Sequence, residues 1–409
     1  MTTARRRWYE QSVPQSGTLT LLPGITSLEL GLLILLAVLV LLGLLLIYSA
    51  TYYLARQVFN DPFYFVRRQA GAALVGALAL LGLWRVDYHR LQRLSIPLML
   101  LGVASLVAVL VVGEERLGAR RAFSGGSFQP SEFVKPIIIL YLATWLPTKG
   151  ERLRKLSRGF IPFLMVLSTV VIPIFLQPDL GTGLLIGIVA AWMFVASGAT
   201  WVQVLLGLAL GAGVFGALLQ IHPHAMVRLL DYLGALSAPE GASGHVGMVQ
   251  EAIRSGGLFG KGPGASLYVL SGQVPLPHSD SAFAVIGEAF GFAGVIGVIG
   301  LLSVWVFLGF RTARHARDAF GGLLALGVTL WIAWQGLIHL GGVTSVIPFS
   351  GIPFPFISYG GSALLSELMG AGMLLSVARR RGDEDLDRRG RDRRAHLPGV
   401  SRRGGASGR

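Results

Sequence analysis

The chain has 409 residues, of which 53% are hydrophobic and 14% are charged, and its mean hydropathy is +0.63. This composition excludes the ordinary soluble classes and indicates that a lipid bilayer surrounds most of the chain. The formal net charge of +14 would also suit nucleic acid, but in so apolar a protein we expect basic residues to lie at cytoplasmic membrane edges. Cysteine is absent, which excludes disulfides and thiolate metal sites.

The first predicted element is a membrane-spanning helix over residues 29–50, where the apolar run exceeds the roughly 20 residues that cross a bilayer. Because this run is too long for the core of a signal peptide, we expect it to be retained. Further apolar runs predict helices near residues 69–86, 95–113, 133–147, 160–177, 181–198, 201–220, 281–310, 319–340 and 362–378. The predicted fold is therefore all-α, a polytopic membrane protein with about ten transmembrane helices.

Basic residues alternate between the loops, which predicts their orientation because cytoplasmic loops are enriched in Lys and Arg. The basic set comprises Arg5–Arg7, Arg90, Arg93, Lys149–Arg158, Arg311–Arg317 and the arginine-rich tail. Both termini are thus predicted to be cytoplasmic, and the outward loops are 51–68, 114–132, the long loop 221–280 between helices 7 and 8, and 341–361. We divide the chain into a cytoplasmic segment 1–28, a membrane domain 29–380 and a disordered basic tail 381–409.

Charged residues near the ends of apolar runs are the candidates for function, because each must be hydrated, paired or used. Glu132 and Lys135 are spaced to meet on one helix face. Lys135 is either one half of a buried ion pair or a phosphate-binding ammonium, to which Arg120 and Arg121 would add positive charge. Asp179, in the sequence QPDLGT, either caps the next helix or contributes to a site, and the two roles are compatible.

Two further clusters lie in predicted outward loops. One is glycine-rich and contains Lys261; it is followed by His278 and Asp280, just before a helix. Asp280 is either an N-cap or a general base in an outward cavity. The other cluster, around Ser358 in IPFPFISYGGS, holds too many prolines and glycines for a continuous helix and is predicted to line a cavity.

In their order along the chain, the motifs GARR with FQPSEFVK, QPDLGT, SGGLFGKG, PHSD with GEAFG, and GIPFPFISYGGS resemble those of the FtsW/RodA/SpoVE (SEDS) membrane proteins. The resemblance runs from the first helix to about residue 380. It implies ten spans and a peptidoglycan glycosyltransferase in the cytoplasmic (inner) membrane that polymerises lipid II with a class B penicillin-binding protein and other divisome or elongasome proteins. It leans weakly toward FtsW, the cell-division branch, rather than RodA and elongation.

The resemblance implies that Asp280 is the essential outer-loop aspartate. We predict it to be the base for the acceptor hydroxyl in an inverting, single-displacement reaction. The predicted substrate- or pyrophosphate-binding residues are Arg120, Arg121, Glu132, Lys135, Asp179, Lys261, His278 and Ser358. A divalent cation, Mg²⁺ or Mn²⁺, is the one cofactor expected, with unknown ligands.

The sequence departs from the family pattern at Ala122, Leu276, Ser281 and His339, which bears on the shape of the acceptor pocket. Two other functions fit the same residues. A lipid II flippase would also need broken helices and an anion-friendly cavity, although its site should lie near the middle of the bilayer. A non-catalytic scaffold for a penicillin-binding protein would tolerate Asp280→Asn.

Overall fold

The computed structural model describes residues 26–395 apart from 117–118, 124–127, 222–225, 228, 231, 235–244, 265–280 and 349. Within these residues the protein is built from α-helices, one short β-hairpin, a 3₁₀-helix (Gly150–Arg154) and a π-helix (Leu156–Phe160) that leads into α5. The helices are α1 (Ser27–Phe59), α2 (Tyr64–Arg85), α3 (Tyr88–Val112), α4 (Pro130–Lys149), α5 (Ile161–Leu176), α6 (Leu180–Ala196), α7 (Trp201–Ile221), α8 (His245–Ser255), α9 (Ala282–Arg314), α10 (Ala319–Val343) and α11 (Gly361–Ala395). The hairpin pairs β1 (Glu114–Arg116) with β2 (Ala119–Ala122) in antiparallel fashion.

The all-α membrane fold is confirmed, and each of the ten predicted helical segments coincides with a helix. Eight helices of the described chain are long and apolar enough to cross a membrane. Helix α6 is shorter, and α4 carries Glu132, Lys135 and Lys149 within its 20 residues. The number of crossings and the cytoplasmic position of the termini therefore stay predictions. Helix α8 and the hairpin were not predicted, because both fall in segments of the sequence that read as loops.

Helix α11 continues to Ala395, past residue 381, where the basic tail was predicted to begin. Residues 396–409 lie outside the described chain, so the disorder of the tail stays a prediction, although the helix passes the predicted boundary at residue 381. The sequence explains why α11 continues past residue 381. Glu384 and Asp385 stand four residues before Arg388 and Arg389, a spacing that favours helix.

Local sequence explains where several helices begin. At the start of α1, the Glu29 carboxylate accepts from the Thr26 N–H at 2.8 Å, and the Glu29 N–H donates to the Thr26 hydroxyl. This reciprocal pair is a capping box. At the start of α10, Asp318 caps Gly321 and accepts a 2.5 Å hydrogen bond from the Tyr88 hydroxyl at the start of α3. A single aspartate thus begins one helix and fixes it to another.

The centre of the bundle is formed by α4, α10 and α11, which contact one another and, between them, α1, α2, α3, α6 and α9. Small residues permit these close contacts, as is usual between membrane helices. Gly372 of α11 faces the backbone of Leu80 in α2, and Gly370 faces the ring of Trp331 in α10. Helix α7, in contrast, contacts chiefly its neighbour α6 and leaves most of its apolar side chains uncovered. The charged residues at the centre of the bundle are therefore surrounded by several helices.

Helix α9 is interrupted at Gly291, whose φ of 67° and ψ of −165° are not helical. A glycine-rich segment, residues 256–264, lies against this break, and we call it the strap. The amides of Lys261 and Gly262 donate to the carbonyls of Glu288 and Ala289. In return, the amides of Phe292 and Ala293 donate to the carbonyls of residues 257 and 258. The strap thus satisfies the backbone groups that the break leaves without helical partners.

The segment between α10 and α11 is irregular, as predicted from its prolines and glycines. Ser345 and Phe356 have positive φ values of 59° and 63°, as does Gly351 at 69°. Such values are uncommon for residues with a side chain and persist only where the surroundings hold them. Ile352, Phe354, Phe356 and Ile357 are nevertheless buried, so the segment is packed into the bundle.

Candidate functional site

The first turn of α4 holds the predicted pair Glu132 and Lys135. Their side chains form a 2.7 Å ion pair, and each residue is at most 5% exposed. The Lys135 ammonium also lies 5.2 Å from the centre of the Trp331 ring on α10, within the range of a cation–π contact. Of the two interpretations of Lys135, the structure shows the buried ion pair. The ammonium is therefore enclosed between α4 and α10 in the described conformation.

Asp179 combines the two roles that the sequence allowed. Its Oδ1 accepts from the Thr182 amide at 3.2 Å, which caps α6. Its Oδ2 accepts from the Gln129 side-chain amide at 3.2 Å and from the Ser131 hydroxyl at 3.3 Å. The Gln129 backbone N–H in turn donates to Ser362 at the start of α11. The beginnings of α4, α6 and α11 are therefore joined through polar contacts around Asp179.

A second buried network, which the sequence analysis did not find, connects α10 and α11 to the segment between them. The Gln335 side chain accepts from the Trp331 indole N–H at 2.7 Å and donates to the Glu367 carboxylate at 2.7 Å and to the Pro353 carbonyl. Glu367 also accepts from the Phe356 backbone N–H at 2.7 Å. The signal in the sequence that could have identified this network is Glu367, a carboxylate within the apolar run 362–378.

Ser358, a predicted site residue, supports the same segment. Its hydroxyl accepts from the Phe354 amide at 2.9 Å, and its carbonyl accepts from the Gln69 side chain of α2. Gln69 also accepts from the Gly360 amide. At the neighbouring Tyr359, burial raises the pKa of the phenol, and the nearby Arg68 guanidinium opposes that rise. Ser358 therefore shapes the backbone here, and its hydroxyl is buried.

Lys261 lies in the strap, where its ammonium is 3.4 Å from the buried carboxylate of Glu288 on α9. About a third of the Lys261 side chain is exposed. The strap is also joined to α1, because the Gly264 amide donates to the Ser49 hydroxyl at 2.8 Å. Glu288, present in the predicted GEAFG motif, thus has a defined partner.

The remaining predicted residues lie partly outside the described chain. Asp280 and His278 belong to the segment 265–280, and the structure gives no account of them. The backbone of Arg120 lies in β2 opposite Glu115, while its side chain is not described. Arg121 is half-buried in the same strand, which contacts α3 and α4. Ser281, one of the departures from the family pattern, is buried and directly precedes α9.

The predicted divalent cation has no evident place among the described side chains. They contain no group of three or more His, Asp or Glu residues suited to a metal ion. The buried carboxylates Glu132 and Glu367 are already held by Lys135, Gln335 and a backbone amide. The cation stays a prediction.

Comparison with known proteins identifies the family. The profile of FtsW, RodA and SpoVE, described as "Cell cycle protein", matches residues 30–382. The chain belongs to this FtsW/RodA/SpoVE family. The stage V sporulation protein E of Bacillus subtilis (strain 168) is 37% identical to it, over 87% of this chain and 98% of the relative. The probable peptidoglycan glycosyltransferase FtsW of Trichlorobacter lovleyi is 35% identical, over 86% of this chain and 93% of that protein.

Solved structures support the fold. A chain from the structure titled "Structural coordination of polymerization and crosslinking by a peptidoglycan synthase complex" has a TM-score of 0.70 and 28% identity, covering 86% of this chain and 98% of that one. The crystal structure of Thermus thermophilus RodA has a TM-score of 0.62 and 28% identity, covering 86% and 96%. The predicted family is thus confirmed. The roles of the predicted site residues stay predictions.

Proposed function

We propose that this FtsW/RodA/SpoVE protein is a peptidoglycan glycosyltransferase that polymerises lipid II into glycan strands. The observation that carries the proposal is the similarity, over more than four fifths of the chain, to relatives named probable peptidoglycan glycosyltransferase FtsW. The reaction takes place at the outer face of the cytoplasmic (inner) membrane, with both termini of the chain in the cytoplasm. The polymer serves cell division or cell elongation, and the similarity to relatives named FtsW favours cell division.

The chemistry is one displacement. The acceptor hydroxyl oxygen attacks the anomeric carbon of the donor, the bond from that carbon to the pyrophosphate oxygen breaks, and the hydroxyl proton passes to Asp280. Undecaprenyl pyrophosphate leaves with the electron pair, and the configuration at the anomeric carbon inverts. Cationic side chains stabilise the charge that develops on the leaving group. Lys261 is partly exposed and Arg121 is half-buried, so these two are open to a substrate in this conformation.

Lys135 takes part only after a rearrangement, because its ammonium is closed in by Glu132 and Trp331. In the described conformation, the pair instead fixes α4 to α10. Substrate binding that separates the two helices would expose a positive charge next to Glu132.

A class B penicillin-binding protein is the proposed partner, together with other divisome or elongasome membrane proteins. Support comes from the similar chain in a structure whose title names a peptidoglycan synthase complex that polymerises and crosslinks. A divalent cation, Mg²⁺ or Mn²⁺, is the proposed cofactor and would supply positive charge at the site.

A lipid II flippase is the second candidate, and the break in α9 is the observation that favours it. Discontinuous helices in transporters leave backbone groups to bind substrate near the middle of the bilayer. In this protein, however, the strap takes up four such groups at the break. The observed arrangement therefore agrees better with a structural break than with a substrate site.

The decisive experiment measures glycan product from purified lipid II in the presence of the cognate penicillin-binding protein with its transpeptidase blocked. Asp280→Asn should abolish product. Asp61→Asn is the matched control, because Asp61 lies in another predicted outward loop and pairs locally with Arg67; it should leave product unchanged. Equal product from wild type and Asp280→Asn would remove Asp280 from catalysis. No product from folded wild type with its partner would favour transport or scaffolding.

A further inference from the structure

Glu367 on α11 is a buried acid with a complete set of contacts that the predicted reaction does not use. Only 2% of the residue is exposed. One carboxylate oxygen accepts from the Gln335 side chain and the other from the Phe356 amide, each at 2.7 Å. Both oxygens therefore act as acceptors, as in the ionised form of a carboxyl group.

The hydrogen bond from the Phe356 amide to Glu367 supports the segment between α10 and α11. Phe356 has a φ of 63°, a left-handed conformation that is strained for a phenylalanine. Its ring is 2% exposed and meets the ring of Trp305 edge-on at 5.4 Å. Without Glu367, the amide of this strained residue would lose its acceptor in a buried place. Glu367 thus stabilises the conformation of residues 353–358.

Lys135 and Glu132 of α4 are connected to Glu367 through the side chains of α10. Within this group there are two carboxylates and one ammonium. A buried ammonium among membrane helices is unfavourable unless an acid compensates it. Glu132 does so directly at 2.7 Å, and Glu367, whose two oxygens both accept hydrogen bonds, is the second acid of the group.

A chain of contacts connects the two acids. The Lys135 ammonium lies over Trp331, the Trp331 indole donates to Gln335, and Gln335 donates to Glu367. We propose that Glu367 is a positioning residue that acts as the second counter-ion of Lys135 and sets the position of residues 353–358 at the same time. Its effect on catalysis rests on the proposed glycosyltransferase function, whereas its pairing with Lys135 does not.

Thermal unfolding of the purified full-length protein in detergent tests the pairing. Glu132→Gln and Glu367→Gln each leave Lys135 one acid, and the double variant leaves none. The double variant should therefore lose more in unfolding midpoint than the two single losses added together. Adding Lys135→Met to the double variant should recover part of that loss, since no ammonium is then left without an acid.

Glu288→Gln provides the matched control, because Glu288 is an equally buried glutamate that pairs with Lys261 instead. Its combination with Glu132→Gln should be additive. Additive losses for Glu132→Gln with Glu367→Gln, or no recovery with Lys135→Met, would overturn the pairing.

Lipid II polymerisation tests the positioning role. Glu367→Gln should lower the rate by about ten- to a hundredfold, because Phe354 in this segment packs against Phe283, three residues after Asp280, and small displacements at a reaction centre have effects of that size. Glu367→Asp, which keeps the charge, should retain more activity than Glu367→Gln. Unchanged rates would overturn the positioning role. Absence of product from wild type would count against the proposed function, while the thermal comparison would still decide the pairing.

Discussion

We expect Gly260→Ala to separate the strap from α9. A Cβ atom at Gly260 would lie 2.2 Å from the Ala289 carbonyl oxygen and 2.5 Å from the Phe290 nitrogen. Both are backbone atoms of a packed helix, so the strap must move instead. Its four hydrogen bonds to α9 are then lost, each worth about 0.5–1.5 kcal/mol net, which lowers the free energy of unfolding by about 2–6 kcal/mol.

Gly262→Ala is the matched control for this change. Gly262 has a φ of 95° and Gly260 a φ of 80°, so alanine is strained at both, by about 1–2 kcal/mol. A Cβ at Gly262, however, meets nothing within 4 Å. The difference between the two variants therefore isolates the contact with α9.

Two measurements compare these variants: thermal unfolding in detergent, and amide hydrogen exchange in peptides that contain Phe292 and Ala293. Gly260→Ala should unfold at the lower temperature, and its Phe292 and Ala293 amides should exchange faster, because their acceptors in the strap have moved. Equal unfolding temperatures, or amides that stay protected in Gly260→Ala, would refute the described arrangement.

Three further predictions concern stability, each measured as a change in thermal unfolding. Asp179→Ala should cost about 1 kcal/mol more than Asp179→Asn, because asparagine keeps an acceptor for the cap of α6 and alanine does not. Gly372→Ala should destabilise the protein, since its Cβ would lie 2.9 Å from the Leu80 backbone, whereas Gly82→Ala, with nothing within 4 Å, should have little effect; equal effects would contradict the close packing of α2 on α11. Ser358→Ala should cost about 1–3 kcal/mol by leaving the buried Phe354 amide without its acceptor.

The sequence predicted those contacts that arise within one helix or at its start. Glu132 and Lys135 are three residues apart, so helical geometry alone brings them together. Asp179 caps α6 because the residues it caps follow it directly. The apolar runs likewise located ten helices, since a membrane requires long uninterrupted segments.

Contacts between distant segments could not be predicted in the same way. Glu367 meets Gln335 from 32 residues away, and the direction of its side chain depends on how α10 and α11 pack. The strap was visible as a glycine-rich sequence, but its partners in α9 are backbone groups, which every residue carries. Nothing in the residue types distinguishes Glu288 and Ala289 as the acceptors.

At the break in α9, hydrogen bonds to the strap replace hydrogen bonds within the helix. An uninterrupted α9 would join Phe292 to Glu288 and Ala293 to Ala289 by two hydrogen bonds, and the strap replaces these two with four. If the strap withdrew and the helix closed, the net loss would be two bonds, or about 1–3 kcal/mol. Hydrogen bonds alone therefore favour the present angle of the first half of α9 by only a modest free-energy difference. The burial of Ala282–Ala289 adds to it, so packing as well as backbone pairing fixes the direction in which this half-helix presents Ser281 at its start.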